Sequence, residues 1–150
     1  MTKKTIFYIV LGIFLVRPGF LPAQTAAELE ELLENPAVSY SLAAWFVQGS
    51  VGYQGIDSPE MAFNWAMARG FLPKNAAPDN PIKLGSLSFL IMRAFDMRGG
   101  IMYSIFSNPH YAYRELVYRD IIQGRAAANM AVPGEMLLFL VNRTLAINEQ

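Results

Sequence analysis

The side chains that most often carry catalysis are scarce in this chain of 150 residues. Cysteine is absent, which excludes disulfides, cysteine nucleophiles and thiolate metal sites. His110 is the only histidine, whereas zinc and iron sites usually need at least two nitrogen or sulfur ligands. A catalytic histidine also needs an orienting partner and a substrate pocket. Because Asn108 and Pro109 are typical of a helix start, we expect His110 to face solvent in a first helical turn.

Four carboxylates are candidates for a catalytic pair of the glycosidase type: Asp57, Glu60, Glu115 and Glu135. None of them lies in a stretch that suggests removal from water, so solvated helix ends explain them better. The formal net charge is zero, and no run of like charges marks a nucleic-acid partner. We therefore predict a non-enzymatic protein without metal or cofactor, and a small wall-glycan hydrolase is the less favoured alternative.

The N-terminus has the layout of a secretory signal. Two lysines precede the apolar run from Ile6 to Val16, and the breaker sequence RPGFLPAQ follows. The run has 11 residues, fewer than the ~20 that a spanning helix needs. We expect cleavage after Ala23, with retention as an N-terminal anchor as the alternative. Residues 24–150 would then form a mildly acidic domain, exported to the periplasm or cell envelope and not integral to a membrane.

The rest of the chain contains an internal repeat of fifty residues. SPEMAFNWAMARGFLP, from Ser58, aligns with NPHYAYRELVYRDIIQ, from Asn108, and no gap is needed. Nine positions between 59 and 95 are identical fifty residues later, where typical residue frequencies give about two or three. These positions are Pro59, Ala62, Arg69, Ala76, Ala77, Leu87, Phe89, Leu90 and Arg93.

Each repeated unit is predicted to contain two helices joined by a loop. Ser58 and Asn108 are N-cap residue types, and each is followed by a proline, which is favoured at the first helical position. The second helix is strongly apolar and has helical spacing in both units. Its apolar residues are Leu87, Leu90, Ile91, Ala94 and Phe95 in one unit, and Leu137, Leu140, Val141 and Leu145 in the other.

A third, degraded unit precedes these two. AAELEELLE has Leu29, Leu32 and Leu33 on one side of a helix, and NPAVSYSLAAWFVQGS resembles the second helix at a shift of 44 or 45 residues. The units span about 26–50, 58–97 and 108–147. Such helix pairs cannot cover their own apolar faces and must stack on neighbours. We predict one all-α domain of about three tandem helix-loop-helix repeats, without strands.

Arginines and aromatic side chains are the candidates for ligand binding. Arg93 matches Arg143 in the repeat, and both could hold carboxylate or sugar groups. Trp65, Tyr111 and Tyr113 could stack on sugar rings. The structural alternatives remain open, because arginine near a helix C-terminus can bond the last carbonyl groups and aromatic rings usually pack in cores.

The repeated pattern resembles the S-layer homology family. NWAMARGFLPKNAAPDNPIKLGSLSFLIMRAF and RELVYRDIIQGRAAANMAVPGEMLLFLVNRTL are similar to the family's unit over its full length. The resemblance covers Ser58 to about Ile147 and, loosely, Ala26 to Ser50. It implies a bundle of three units that binds cell-wall glycans in the grooves between them.

The family's signature, Ile-Thr-Arg-Ala-Glu, is replaced in every unit. Its positions hold Val38-Ser39-Tyr40-Ser41-Leu42, Ile82-Lys83-Leu84-Gly85-Ser86 and Val132-Pro133-Gly134-Glu135-Met136. Lys83 alone retains a cation near the ligand-holding arginine of the family, so the resemblance makes it a binding candidate. We expect an envelope module whose partner is cell-wall polysaccharide, peptidoglycan or an envelope protein. For a protein partner, the apolar connector GGIMYSIFSNP, residues 99–109, is the predicted contact surface.

Overall fold

A computed structural model of the protein describes residues 26–149, and over that range the fold is all-α. The helices are α1 (Ala26–Glu34), α2 (Tyr40–Ser50), α3 (Pro59–Ala68), α4 (Leu84–Ala94), α5 (Ile101–Ile105), α6 (Pro109–Tyr118) and α7 (Gly134–Asn148). Within this range the only strand-like pairings are two isolated bridges, Ser39 with Pro81 and Lys83 with Ala131. None of these helices is long and apolar enough to cross a bilayer. The predicted signal, residues 1–23, lies outside the described residues.

The starts of α3 and α6 follow from their capping residues. The Ser58 hydroxyl accepts a hydrogen bond of 3.2 Å from the Met61 N–H. The Asn108 side-chain oxygen accepts one of 3.1 Å from the Tyr111 N–H. Each bond satisfies one of the N–H groups that a helix start leaves without an intrahelical partner. The predicted N-caps are therefore confirmed.

The helix α4 lies at the centre of the core. Ten of its eleven residues are buried, including the predicted apolar positions Leu87, Leu90 and Ile91. In α7 the predicted positions Leu137, Leu140 and Val141 are also buried. In α1, by contrast, only Leu32 is buried and Leu33 is exposed, so the prediction of one shared leucine face was too broad.

The helices pack in a closed order. The helix α2 lies against α3, α4 lies against α6, and α7 returns to α1. Additional contacts join α2 to α4 and to α7. Each apolar helix thus covers its face with a helix that comes later in the chain, and the last one uses the first helix.

Three fully buried residues link these segments through their backbones. The Val38 N–H donates to the Val132 carbonyl at 2.9 Å, and the Ile82 N–H donates to the Val38 carbonyl at 2.8 Å. The Val132 N–H donates to the Ile82 carbonyl at 3.2 Å, which closes the ring. Val38 and Ile82 are 44 residues apart, one of the two shifts expected for the first unit. Whether the units form a bundle of the S-layer homology type stays a prediction.

Backbone groups also replace the missing side-chain caps of α4 and α7. Lys83 and Pro133, the residues before these helices, make no side-chain cap bond. Instead, the Gly85 N–H donates to the Ala128 carbonyl at 2.8 Å. The Gly134 N–H likewise donates to the Asn35 carbonyl at 2.9 Å. The loop before one apolar helix therefore caps the start of another, which ties the segments together without polar side chains.

Candidate functional site

A groove of about 430 Å³ lies beside the C-terminal end of α4. Its lining residues come from α4, from the connector between α2 and α3, from the segments that follow α3 and α4, and from α5. The lining residues are Tyr53, Phe71, Met92, Arg93, Ala94, Asp96, Met97 and Tyr103. A cation, a carboxylate and three aromatic rings therefore border one groove, a composition suited to a polar ring-shaped ligand.

Arg93 supplies the positive charge of this groove. Its guanidinium carbon lies 5.6 Å from the centre of the Phe71 ring and 6.0 Å from that of Phe89. The side chain is exposed, and no hydrogen bond or ion pair holds it among residues 26–149. The two rings orient the guanidinium through weak cation–π attraction, and its donors stay available to a ligand.

Trp65 supports the aromatic wall of the groove from behind. Its ring meets the edge of Phe71 at a centroid distance of 5.4 Å and the ring of Tyr53 at 4.5 Å. The guanidinium carbon of Arg69 lies 4.2 Å from the Trp65 ring centre. Trp65 is half-buried and is not among the lining residues. Trp65 thus contacts Phe71 and Tyr53, which are the aromatic residues that line the groove at this side.

Tyr103 and Asp96 provide the other polar groups of the groove. Tyr103 is only 7% exposed, and its hydroxyl has no hydrogen-bond partner among the described residues. Most buried polar atoms in folded proteins are hydrogen-bonded, so a ligand or water molecule in the groove is the natural partner. Asp96 is exposed and follows the end of α4 with a φ of 49°. Aspartate tolerates this left-handed conformation better than most residues, which suits the end of a helix.

Arg143, the repeat counterpart of Arg93, has a structural contact instead. Its Nε donates to the Asp120 carbonyl at 2.7 Å, and its guanidinium carbon lies 5.8 Å from the Phe139 ring centre. The bond joins α7 to the turn that ends α6. The two matched arginines therefore differ, because one ties two segments together and the other borders a groove.

The remaining predicted binding residues lie apart from this groove. The Tyr113 hydroxyl donates to the Ala126 carbonyl at 2.5 Å and so holds a loop. Tyr111 stacks on Phe106 with a centroid distance of 5.8 Å. Lys83 is exposed at the start of α4, ten residues before Arg93, and lines neither the Arg93 groove nor the three other grooves considered below. The structure does not bring Lys83 and Arg93 to one groove.

His110 and most of the carboxylates are exposed, in agreement with the expectation. The imidazole of His110 meets the edge of Tyr111 at a centroid distance of 5.1 Å. Glu60 and Glu135 are exposed at the starts of α3 and α7. Glu115 differs, because its Oε1 accepts a bond of 2.9 Å from Arg119 and its Oε2 accepts one of 2.9 Å from the Gly100 N–H. Glu115 therefore holds α5 against α6 and is not merely solvated.

Two further grooves, of about 510 and 460 Å³, lie around α1 and α2. They share the residues Glu28, Trp45, Phe46 and Asp57. Asp57 is exposed where it lines these two grooves, and His110, the only histidine in the sequence, lines neither of them. A fourth groove, of about 310 Å³, lies between α5 and α6.

Sequence reasoning missed Phe71, Asp96 and Tyr103 as groove residues. Phe71 and Asp96 lie in short turns after helices, where the sequence gives no sign of what they face. Tyr103 lies in a segment predicted to be a connector, and nothing in its neighbours marks it as buried.

Among known proteins, no family model, curated protein or solved structure matches this chain.

Proposed function

We propose that the chain is an exported, non-enzymatic envelope protein whose helical domain attaches to an acidic glycan of the cell wall. The observation that carries this proposal is the groove bordered by Tyr53, Phe71, Arg93, Asp96 and Tyr103. The S-layer homology resemblance points to the same class of ligand from the sequence. It does so through other residues, since it places the ligand-holding cation at Lys83.

Each lining residue has a role that suits an acidic sugar. The rings of Phe71 and Tyr53 offer flat apolar surfaces, on which the C–H face of a sugar ring packs. Arg93 has the fork of donors that binds a carboxylate with two parallel hydrogen bonds. Asp96 accepts hydrogen bonds from sugar hydroxyls, and the Tyr103 hydroxyl gains the partner that it lacks among the described residues.

A binding role is supported over hydrolysis by the state of the possible catalytic groups. The geometry of an acid–base site requires a titratable group within hydrogen-bond reach of its partner and of the substrate. His110 is exposed and lies against the Tyr111 ring, while Glu115 is engaged with Arg119 and a backbone N–H. A hydrolase that acts in the Arg93 groove would need a second acid beside Asp96, and the described lining residues include none.

The rival function is that of an accessory subunit in a periplasmic assembly, bound to protein rather than glycan. That role needs a large exposed apolar surface. The predicted connector does expose several apolar residues around α5, including Ile101 and Ile105. The extent and charge of that surface favour an occupant other than a protein.

Co-sedimentation with purified cell-wall glycan tests the proposal. Wild-type protein should sediment with the glycan at low salt, and binding should weaken as salt rises, because salt screens charge attraction. Arg93→Gln should abolish sedimentation and retain the melting temperature, because the Arg93 side chain makes no hydrogen bond or ion pair within residues 26–149.

Two matched variants serve as controls. Lys83→Ala should sediment like the wild type, since Lys83 does not line the groove. Arg143→Gln should lower the melting temperature and leave sedimentation intact, because its bond to Asp120 joins two segments. Absence of wild-type sedimentation at low salt, or loss of binding in Lys83→Ala rather than Arg93→Gln, would contradict the proposal.

A further inference from the structure

The short helix α5 exposes large apolar side chains to solvent. Ile101 is 77% exposed and Ile105 is 65% exposed, and Met102 and Phe106 are about half exposed. Tyr118 of α6, 84% exposed, borders the same shallow groove as Ile101 and Met102. We call these five side chains the α5 surface. Single exposed apolar residues are ordinary on proteins, but a contiguous group of this kind marks an interaction site.

The segment that carries the α5 surface is fixed to the rest of the domain. Glu115 accepts a hydrogen bond from the Gly100 N–H at the start of α5 and another from Arg119. Arg119 in turn donates to the backbone carbonyl of Arg98. Tyr103 is the one buried residue of α5 and anchors it to the core side. These bonds and the burial of Tyr103 thus hold in place the segment that exposes the apolar side chains.

Positive charge borders the α5 surface. Arg98 precedes α5 by three residues, and Arg114 lines the same shallow groove as Ile101 and Tyr118. Both arginines are exposed, and neither has an ion-pair partner among residues 26–149. Between 98 and 119 the only carboxylate is Glu115, whose charge is balanced by Arg119, and the exposed Asp96 and Asp120 lie just beyond the ends of this stretch. The surface therefore combines an apolar centre with two arginines that have no ion-pair partner among the described residues.

The size of the α5 surface argues against a stable protein interface. Specific protein interfaces use roughly 20–30 residues from each partner, and this surface has five apolar side chains and two arginines. Shallow insertion into a bilayer needs only a few bulky apolar side chains together with attraction to anionic lipids. Tyrosine is favoured at the boundary between headgroups and acyl chains, and Tyr118 lies at the edge of the group.

We propose that the α5 surface docks the domain onto a lipid bilayer that contains anionic headgroups. Ile101, Ile105 and Phe106 enter the acyl boundary, and Arg98 and Arg114 meet the phosphate groups. This inference goes beyond the proposed glycan attachment and uses other side chains for binding, while Tyr103 lines both the shallow groove and the Arg93 groove. Failure of either proposal leaves the other standing.

A single fluorescent label tests the inference, because the chain has no native cysteine. The exported protein carrying Ile101→Cys is labelled with an environment-sensitive fluorophore and mixed with phosphatidylcholine vesicles that contain phosphatidylglycerol. Emission should rise severalfold and shift to the blue as the label leaves water. The matched control is Met61→Cys, an exposed apolar position on α3, whose label should not respond.

Two further variants separate the apolar and basic contributions. Adding Ile105→Ser and Phe106→Ser should reduce the response of the Ile101 label to the level of the Met61 control. Adding Arg114→Gln should raise the lipid concentration for half-maximal response by roughly fivefold, since each basic residue near an anionic surface contributes about that factor.

Four results would overturn the inference. The first is an equal response from the two labels, and the second is an Ile101 response that survives the double serine change. The third is an Ile101 label that ignores vesicles and responds to a purified envelope protein, which would identify a protein occupant. An equal response to vesicles of phosphatidylcholine alone would refute the role of anionic headgroups.

Discussion

Gly134 is the position at which the contact between the last helix, α7, and the first helix, α1, can be tested most sharply. It begins α7, and its N–H donates to the Asn35 carbonyl next to α1. A Cβ atom added at Gly134 would overlap the Leu32 carbonyl oxygen and lie 2.6 Å from the Leu32 carbonyl carbon. Both are backbone atoms of α1, so no side-chain rotation relieves the overlap. The substitution Gly134→Ala must therefore push α1 away from α7.

The expected loss follows from two opposing effects. Overpacking that shifts backbone costs about 1–3 kcal/mol, and α1 has only Leu32 fully seated in the core. Replacing glycine by alanine in a helix favours folding by at most about 1 kcal/mol. Because α1 cannot move without unseating Leu32, the overlap outweighs the helix propensity. We expect Gly134→Ala to lower the free energy of unfolding by about 1–2 kcal/mol.

Gly85 is the matched control, since it lies near the start of α4 and also makes an inter-segment backbone bond. A Cβ atom there would meet the Ala128 carbonyl oxygen at 3.3 Å, which a shift of a few tenths of an ångström relieves. Gly85→Ala should change the free energy of unfolding by less than ~1 kcal/mol, near the value of the helix propensity. Urea denaturation followed by circular dichroism measures both variants. Equal stability of Gly134→Ala and wild type, or a larger loss in Gly85→Ala, would refute the closure of α7 onto α1.

Two other predictions address the core and the N-terminus. Leu90→Ala and Leu140→Ala should each lower the free energy of unfolding by about 2–5 kcal/mol, because both leucines are buried; His110→Ala should change it by less than ~0.5 kcal/mol, and thermal melts in the reverse order would contradict the assigned helix faces. The intact mass of protein exported from its native host should lack roughly the first 23 residues, as expected for a cleaved signal; recovery of the full 16.7 kDa chain in a membrane fraction would instead support the retained anchor.

Local sequence rules predicted the helices well wherever the helix depends on the types and spacing of its own residues. Ser58 with Pro59, and Asn108 with Pro109, mark helix starts because capping and proline geometry act over three or four residues. The apolar spacing of Leu87, Leu90 and Ile91 likewise predicts burial, since it reflects the period of the helix. The same rule overreached at Leu33, which is exposed, whereas Leu32 is buried and Leu29 packs partly buried against the core.

Features that depend on distant partners could not be predicted from the sequence. The backbone ring of Val38, Ile82 and Val132 depends on main-chain groups, which every residue type offers. The helix α5 is five residues long, too short for a periodic pattern, and it is held by Glu115 from another helix. The turn around Phe71 and the burial of Tyr103 likewise depend on how separate segments meet.

The repeat does not give matched arginines the same contacts. Matched positions suggest matched roles, and Arg93 and Arg143 are matched in sequence. In the fold, Arg143 reaches the Asp120 carbonyl, whereas Arg93 lies near Phe71 and bonds no carbonyl. The position of a residue in the repeat therefore fixes its place on the helix. The turn that lies next to it determines what the side chain contacts.

The most direct test of the central claim is a map of amide chemical shifts during titration with soluble acidic wall-glycan fragments. The account predicts changes confined to Tyr53, Phe71, Tyr103 and the stretch from Arg93 to Met97, with none at Lys83 or Ala131. Arg93→Gln should remove these changes and leave the rest of the spectrum as in the wild type. Shifts centred on Lys83, or no shifts at any glycan concentration, would contradict the assignment of the Arg93 groove as the binding site.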